Sequence, residues 1–207
     1  MGNDELVNET GKYWNSRYEE NRTGWDMGQA SPPLKNYIDT LINKSIAILI
    51  PGCGNAYEAE YLLSKGFTNV TLIDIAPTLV NKLKQQFKGK PINVILGNFF
   101  EHTGKYDLML EQTFFCALDP SLRKKYVEKS HSLLNTKGKI AGLLFGKIFE
   151  QEGPPFGGTK EEYELLFKPK FNFMQFDVCK TSIAPRMGNE LFIEFEKKLD
   201  QRLIALK

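Results

Sequence analysis

Three short apolar runs in this chain are each followed by a helical pattern and a stop. IAILI precedes NAYEAEYLLSKG, VTLID precedes APTLVNKLKQQFKG, and YDLMLE precedes DPSLRKKYVEKSHSLLNTKG. In the second member of each pair, apolar residues recur three or four apart: Ala59, Leu62 and Leu63; Leu79, Leu83 and Phe87; Leu122, Tyr126 and Leu133. That spacing gathers them on one face of a helix. Gly66, Gly89 and Gly138 stand where each helix is expected to end on a left-handed residue. INVILG and KIAGLLF supply two further strands. Strands that alternate with helices in this way require a parallel sheet covered on both faces.

Both ends of the chain leave that rhythm. FNFMQFDVCKTSI and ELFIEFEKK read as strands with only APRMGN between them. No crossover helix fits so short a connection, so these two are expected to pair antiparallel. Before the first strand lies GKYWNSRYEENRTGWDMGQASPPL, followed by a short amphipathic helix, LKNYIDTLIN. A single domain is expected over residues 1–207, with 1–45 as an N-terminal cap segment and 46–207 as the α/β core.

Composition narrows the function classes. The chain has 207 residues, of which 42% are apolar, enough for an ordinary core. No run approaches the ~18 apolar residues of a membrane span. The start, MGNDELVNETGKYW, lacks the basic-then-apolar pattern of a secretory signal, which points to the cytoplasm. Met1-Gly2 invites myristoylation, but Leu6 stands where that motif needs Ser or Thr. Cys53, Cys116 and Cys179 are too few and too far apart for a disulfide framework or a zinc site, and His102 and His131 are the only histidines. No metal is expected. The net charge is +2, and KLKQQFKGK and LRKKYVEK read as solvated helix faces, so nucleic acid is not an expected partner.

The chemistry gathers at the strand ends. Gly52 and Gly54 follow the first strand at once, where glycine permits a tight turn and a close approach by a ligand. Asp74 ends the second strand, 20 residues after Gly54. A carboxylate there can accept hydrogen bonds from both hydroxyls of a ribose. Together these point to an adenosine-containing ligand. A dinucleotide needs a third glycine in G-x-G-x-x-G to bring the helix N-terminus to its pyrophosphate. Tyr57 occupies that position. S-adenosylmethionine has no pyrophosphate and is the better fit. Asn98 and Phe99 end the third strand and suit its adenine, the Asn carbonyl accepting from the amino group and the next backbone N–H donating to a ring nitrogen. Plainer readings stand beside these. The glycines serve a tight turn in any ligand-free protein, Asp74 suits the N-cap of PTLVNKL, and Asn98 suits a loop. The joint placement at three successive strand ends favours the ligand, because open α/β sheets bind at the carboxyl ends of their strands.

Several segments carry a more specific signal: WNSRYEENRTGWDMGQASPPL, LIPGCGNAYE, LIDIAP, EQTFFCALDPSLRKKY and GPPFGGTKEEYELLF. With them the chain resembles the thiopurine S-methyltransferase family, in particular its branch of plant-type halide and thiol methyltransferases, over nearly its whole length. The resemblance implies an α/β fold with a seven-stranded, Rossmann-like S-adenosylmethionine-dependent methyltransferase sheet. It also implies an antiparallel last strand and an N-terminal helical lid over the cofactor. It carries the cofactor contacts onto Trp14, Tyr18, Trp25, Gly52, Gly54, Asp74, Asn98, Phe99 and Gln112. Tyr18 stands where relatives often have Trp, Asn98 where they often have Asp, and Gln112 where they have Tyr or Arg.

Methyl transfer from a sulfonium to a soft anion destroys charge, so a dry pocket favours it. Aromatic faces hold the cation. The expected wall includes Phe114, Phe115 and Phe156, with GPPFGGT as a rigid loop near the acceptor or, equally, a plain connection before KEEYELLF. Cys116 is expected to be a packed thiol, and Arg123 and Glu111 to be surface or helix-terminal charges. No residue stands out as a general base. The expected function is methyl transfer from S-adenosylmethionine to a small thiol, hydrosulfide or halide. The alternatives are an oxygen, nitrogen or macromolecular acceptor, or a protein that binds the cofactor without turnover.

Overall fold

The structure, a computed structural model, describes residues 3–199, with side chains from residue 9 onward. Met1-Gly2, the dipeptide weighed for myristoylation, lies outside the described residues. The chain divides after Thr103 into two compact units. Among the described residues there are seven strands.

The first unit opens with two helices, α1 (Asn3–Glu19) and α2 (Pro32–Thr40), and continues through β1 (Ile48–Pro51), α3 (Tyr57–Ser64), β2 (Val70–Asp74), α4 (Pro77–Gln86) and β3 (Ile92–Leu96). Its strands lie in the order β3-β2-β1 and pair parallel, Ile48 opposite Val70 and Val70 opposite Ile92. Every residue of β1 and β2 is buried, as a strand covered on both faces must be. Gly66 and Gly89 take left-handed φ angles of 85° and 74°, as expected after α3 and α4. The N-cap residue of α4 is Ala76, with no side-chain cap, so Asp74 is not the cap of that helix. Asn15 of α1 fills the gap: its Oδ1 accepts the Thr78 N–H at 2.9 Å in the first turn of α4. Gly11 lets the same helix lie close, since a Cβ there would sit 3.2 Å from Ile75.

The second unit contains β4 (Tyr106–Gln112), α5 (Phe114–Ala117), α6 (Arg123–Leu133), β5 (Leu134–Phe145), α7 (Lys160–Phe167), β6 (Phe171–Val178) and β7 (Glu190–Lys197). The strand order is β4-β5-β7-β6, with β4 and β5 parallel and β7 antiparallel to both β5 and β6. The expected terminal hairpin is therefore present. Phe115, Tyr126, Phe167, Phe171 and Phe195 form its aromatic centre, all almost fully buried. The expectation for Gly138 is corrected. The left-handed residue is Lys137, at φ 62°, and Gly138 lies inside β5. Glycine is needed there because a Cβ would come within 2.9 Å of the Asn135 carbonyl oxygen and 3.0 Å of that of Tyr106. Thr159 and Glu162 close a capping box at the start of α7. No described helix is long and apolar enough to cross a membrane.

Candidate functional site

In the first unit, the carboxyl ends of β1, β2 and β3 carry Gly52 and Gly54, Asp74, and Asn98 and Phe99. The β1 end is a run of left-handed residues, with φ near 54° at Gly52, 53° at Gly54 and 58° at Ala56. Only glycine adopts this conformation without strain, which explains both glycines by geometry alone. The Asp74 carboxyl is buried. It accepts the Ala76 N–H at 3.0 Å, and the backbone N–H groups of Gly54 and Ile75 are near enough to favour its charged form. The glycine turn and the strand-end acid therefore lie side by side. Burial is the dominant influence on Asp74 and pushes its pKa up to about 6, against the pull of those donors. Burial likewise raises the Cys53 thiol, with the Asp74 charge adding to the effect.

Tyr18 lies beside the glycine turn and belongs to an aromatic cluster of the N-terminal segment. Trp25 meets Trp14 edge-on at 5.0 Å between ring centroids and Tyr18 edge-on at 5.7 Å. The Tyr18 hydroxyl is 3.8 Å from the point where a Gly54 side chain would begin. Burial first, then the nearby charges of Asp74 and Cys53, raise the pKa of the Tyr18 phenol, so it stays neutral. Asn98 bonds within its own turn: its Oδ1 accepts the Phe100 N–H at 2.9 Å and its Nδ2 donates to Glu101 at 3.0 Å. The carbonyl keeps a second lone pair. Phe99 is buried, edge-on to Phe100.

Sequence reasoning missed the residues that fasten this cluster. Asp26 Oδ2 accepts from Asn55 Nδ2 at 2.5 Å and from the Tyr57 hydroxyl at 3.2 Å, and its Oδ1 accepts the Gly28 N–H at 2.8 Å. The buried Glu58 accepts the Ser31 N–H at 2.9 Å. The available signal was Tyr57 itself, a non-glycine at the third position of the fingerprint.

In the second unit, β4 ends at Gln112, whose Oε1 is buried without a hydrogen-bond partner among the described residues. Thr113 then turns left-handed at φ 58° into α5. Glu111 is corrected from a surface charge to a fully buried group. Its Oε1 accepts the Phe115 N–H at 3.0 Å and its Oε2 accepts the Tyr126 hydroxyl at 2.5 Å. Burial pushes its pKa up to about 7. Arg123 is also not a surface charge. Its guanidinium donates to the carbonyls of Phe156 at 3.2 Å and Gly157 at 2.8 Å, and lies 5.0 Å from the Phe115 ring. The Phe156 N–H donates to the Cys116 carbonyl at 2.6 Å. GPPFGGT is therefore bound to α5 and α6 and is no plain connection. Phe115 belongs to the core, while Phe114 and Phe156 are half-buried. The Cys116 thiol accepts the Phe145 N–H at 3.3 Å and is pushed up to about 12 by burial, as a packed thiol should be. Among the described residues, no three His, Cys, Asp or Glu side chains are grouped to hold a metal.

The donor set fits S-adenosylmethionine on structural grounds. Its G-x-G turn carries no side chain at Gly54, its buried carboxyl has oxygen lone pairs to spare, and the Tyr18 phenol, edge-on to Trp25, stands beside the turn. Known proteins agree. The chain is 28% identical to the probable thiol methyltransferase 2 of Arabidopsis thaliana over 191 residues, covering 89% of this chain and 84% of that protein. It is 26% identical to thiocyanate methyltransferase 1 of Brassica oleracea over 200 residues, covering 93% and 87%. The solved 1,6-didemethyltoxoflavin-N1-methyltransferase of Burkholderia thailandensis, with bound 1,6-didemethyltoxoflavin and S-adenosylhomocysteine, superposes with a TM-score of 0.74 at 19% identity. That match covers 97% of this chain and 92% of that one. The fold is the seven-stranded fold of S-adenosylmethionine-dependent methyltransferases, with the last strand antiparallel. The thiopurine S-methyltransferase family model matches residues 9–198, and the chain belongs to that family of S-adenosylmethionine-dependent methyltransferases.

Proposed function

We propose that the chain transfers a methyl group from S-adenosylmethionine to a small soft nucleophile, a thiol, hydrosulfide or halide ion. The observation that carries this reading is the glycine turn at Gly54 next to the buried Asp74 carboxyl, with the Tyr18 phenol of the Trp14–Trp25–Tyr18 ring cluster beside it. The plant relatives, named for thiol and thiocyanate, support the acceptor class.

When bound, the cofactor supplies a methyl group on cationic sulfur. Gly52 and Gly54 make room for its amino-acid part. Asp74 accepts from the ribose hydroxyls, and Asn98 and Phe99 meet the adenine. Trp14, Tyr18 and Trp25 shield the sulfonium from water and face its charge with aromatic rings. Gln112 is assigned to the cofactor as well, its unpartnered Oε1 being an acceptor for an ammonium. Phe114, Phe115 and Phe156 form the acceptor side, with Phe115 as the buried support of the other two. A soft anion needs no proton removed at the moment of transfer, so catalysis rests on positioning and exclusion of water. Glu111 does not serve as a base, because both its oxygens are engaged inside the core. The protein acts as one methyltransferase domain in the cytoplasm, on small molecules, without nucleic acid or membrane partners.

The test is an acceptor screen with iodide, bromide, hydrosulfide, thiocyanate, aliphatic and aromatic thiols, thiopurines, an alcohol and an amine, following S-adenosylhomocysteine formation. Turnover is expected with thiols, hydrosulfide or halides. Turnover with the alcohol or amine alone would overturn the acceptor class, and none with any acceptor despite cofactor binding would favour a non-catalytic protein.

A further inference from the structure

Tyr57 breaks the dinucleotide fingerprint, and it also holds the N-terminal segment. Its hydroxyl and the Asn55 amide both donate to Asp26 Oδ2, at 3.2 and 2.5 Å. Lys82 Nζ donates to Asn55 Oδ1 at 2.9 Å, which orients the Asn55 amide toward Asp26. The Gly28 N–H on Oδ1 fixes the carboxylate from the other side. Asp26 directly follows Trp25, the ring shared by Trp14 and Tyr18. Edge contacts between rings hold a segment down but do not set its register, whereas a carboxylate with three donors has one geometry. Tyr61, one turn further along α3, gives the contrast: its hydroxyl bonds Asp39 and ties α3 to α2 instead.

We propose that Asp26, Asn55 and Tyr57 form a latch that positions Trp25, and through it Trp14 and Tyr18, beside Gly54 and Asp74, and so sets the rate at which S-adenosylhomocysteine leaves. This rests on the reading that the glycine turn holds the cofactor. It accounts for a tyrosine where dinucleotide binders need glycine: with no pyrophosphate to approach, the position is free to anchor the cluster. The three are positioning residues, since none is assigned to the ligand itself.

Trp14 and Trp25 are the only two tryptophans, so stopped-flow tryptophan fluorescence reads the cluster directly. S-adenosylhomocysteine dissociation is measured for the wild type, Tyr57→Phe, Asp26→Asn, the double variant and Tyr61→Phe. Each latch variant is expected to release the ligand about tenfold faster, the scale of one hydrogen bond to a charged group. The double variant should match Asp26→Asn, because that change already removes the charge that the Tyr57 hydroxyl bonds. Tyr61→Phe should match the wild type. A merely structural role would shift thermal unfolding of all three singles without accelerating release. Wild-type release rates in Tyr57→Phe, which loses one oxygen only, would overturn the latch, as would additive effects in the double variant. If the wild type failed to bind S-adenosylhomocysteine at all, the cofactor reading would fall and the latch with it.

Discussion

The Tyr126 hydroxyl donates to Glu111 Oε2 at 2.5 Å inside the second unit, and the same carboxyl accepts the Phe115 N–H through its other oxygen. Burial outweighs these donors and holds Glu111 near pH 7, above its ordinary 4.5. The folded state therefore binds this proton more tightly than the unfolded chain. Its contribution to stability is fully present below pH 4.5 and is lost as pH rises to about 7, up to about 3 kcal/mol. Glu111→Gln keeps an acceptor for Phe115 and a polar partner for Tyr126 but does not titrate. Denaturant unfolding at pH 4.5 and 7.5 should show the wild type losing stability relative to this variant across the interval. A constant difference would mean that burial does not raise the Glu111 pKa above its ordinary value.

Asp74 should make cofactor binding pH-dependent. Its pKa near 6 in the ligand-free protein means that the carboxylate form, which accepts from both ribose hydroxyls, is lost below that pH. Calorimetric affinity for S-adenosylhomocysteine is expected to weaken as pH falls from 7 to 5 and to level off above 7. Asp74→Asn should bind more weakly by ~1.5–3 kcal/mol at pH 7.5 and lose most of this pH dependence. Asparagine is the informative change, because its carbonyl can still accept the Ala76 N–H. An unchanged affinity in the folded variant would remove the ribose assignment.

Residues 10–30 should gain protection from hydrogen exchange when S-adenosylhomocysteine binds. The rings of Trp14, Tyr18 and Trp25 then have a ligand to close upon, beyond the contacts that they make with one another. Equal protection with and without ligand would describe a fixed cap rather than a lid.

Arg123 braces the loop that carries Phe156 through two backbone carbonyls. Arg123→Ala should raise the KM for the acceptor about tenfold, the scale of a lost charged hydrogen bond, while S-adenosylhomocysteine affinity stays as it was. A parallel loss of cofactor affinity would place its effect elsewhere.

Thiols of different acidity should each turn over with a pH midpoint that follows the thiol's own pKa, and iodide should show a flatter profile. An enzyme base would impose one common midpoint on all proton-bearing acceptors. Such a midpoint, absent with iodide, would overturn the base-free mechanism.

The strands, the glycine turn, Asp74 and the antiparallel hairpin were legible in the sequence because each is written in short-range chemistry. Apolar spacing, a left-handed glycine and a strand-end acid act within a few residues of one another. Gly138 shows where that logic stops: a glycine after a helix signals a turn, but here it answers to the Tyr106 and Asn135 carbonyls packed against it. Glu111 and Arg123 read as surface charges for the same reason, since their partners come from α5, α6 and the Phe156 loop.

By itself, then, the sequence determined the fold class and the kind of cofactor, which depend on local periodicity and on residue types at fixed spacing, while the family came from the resemblance of whole segments to known methyltransferases. Only the tertiary structure decided how the site is held. Asp26 and Asn55 are 29 residues apart, and Asn15 and Thr78 are 63 apart, with no local pattern to pair them. Their hydrogen bonds form only once α1, the glycine turn and α4 have been brought together by the burial of apolar faces, a force that has no direction of its own and leaves the register to the polar groups.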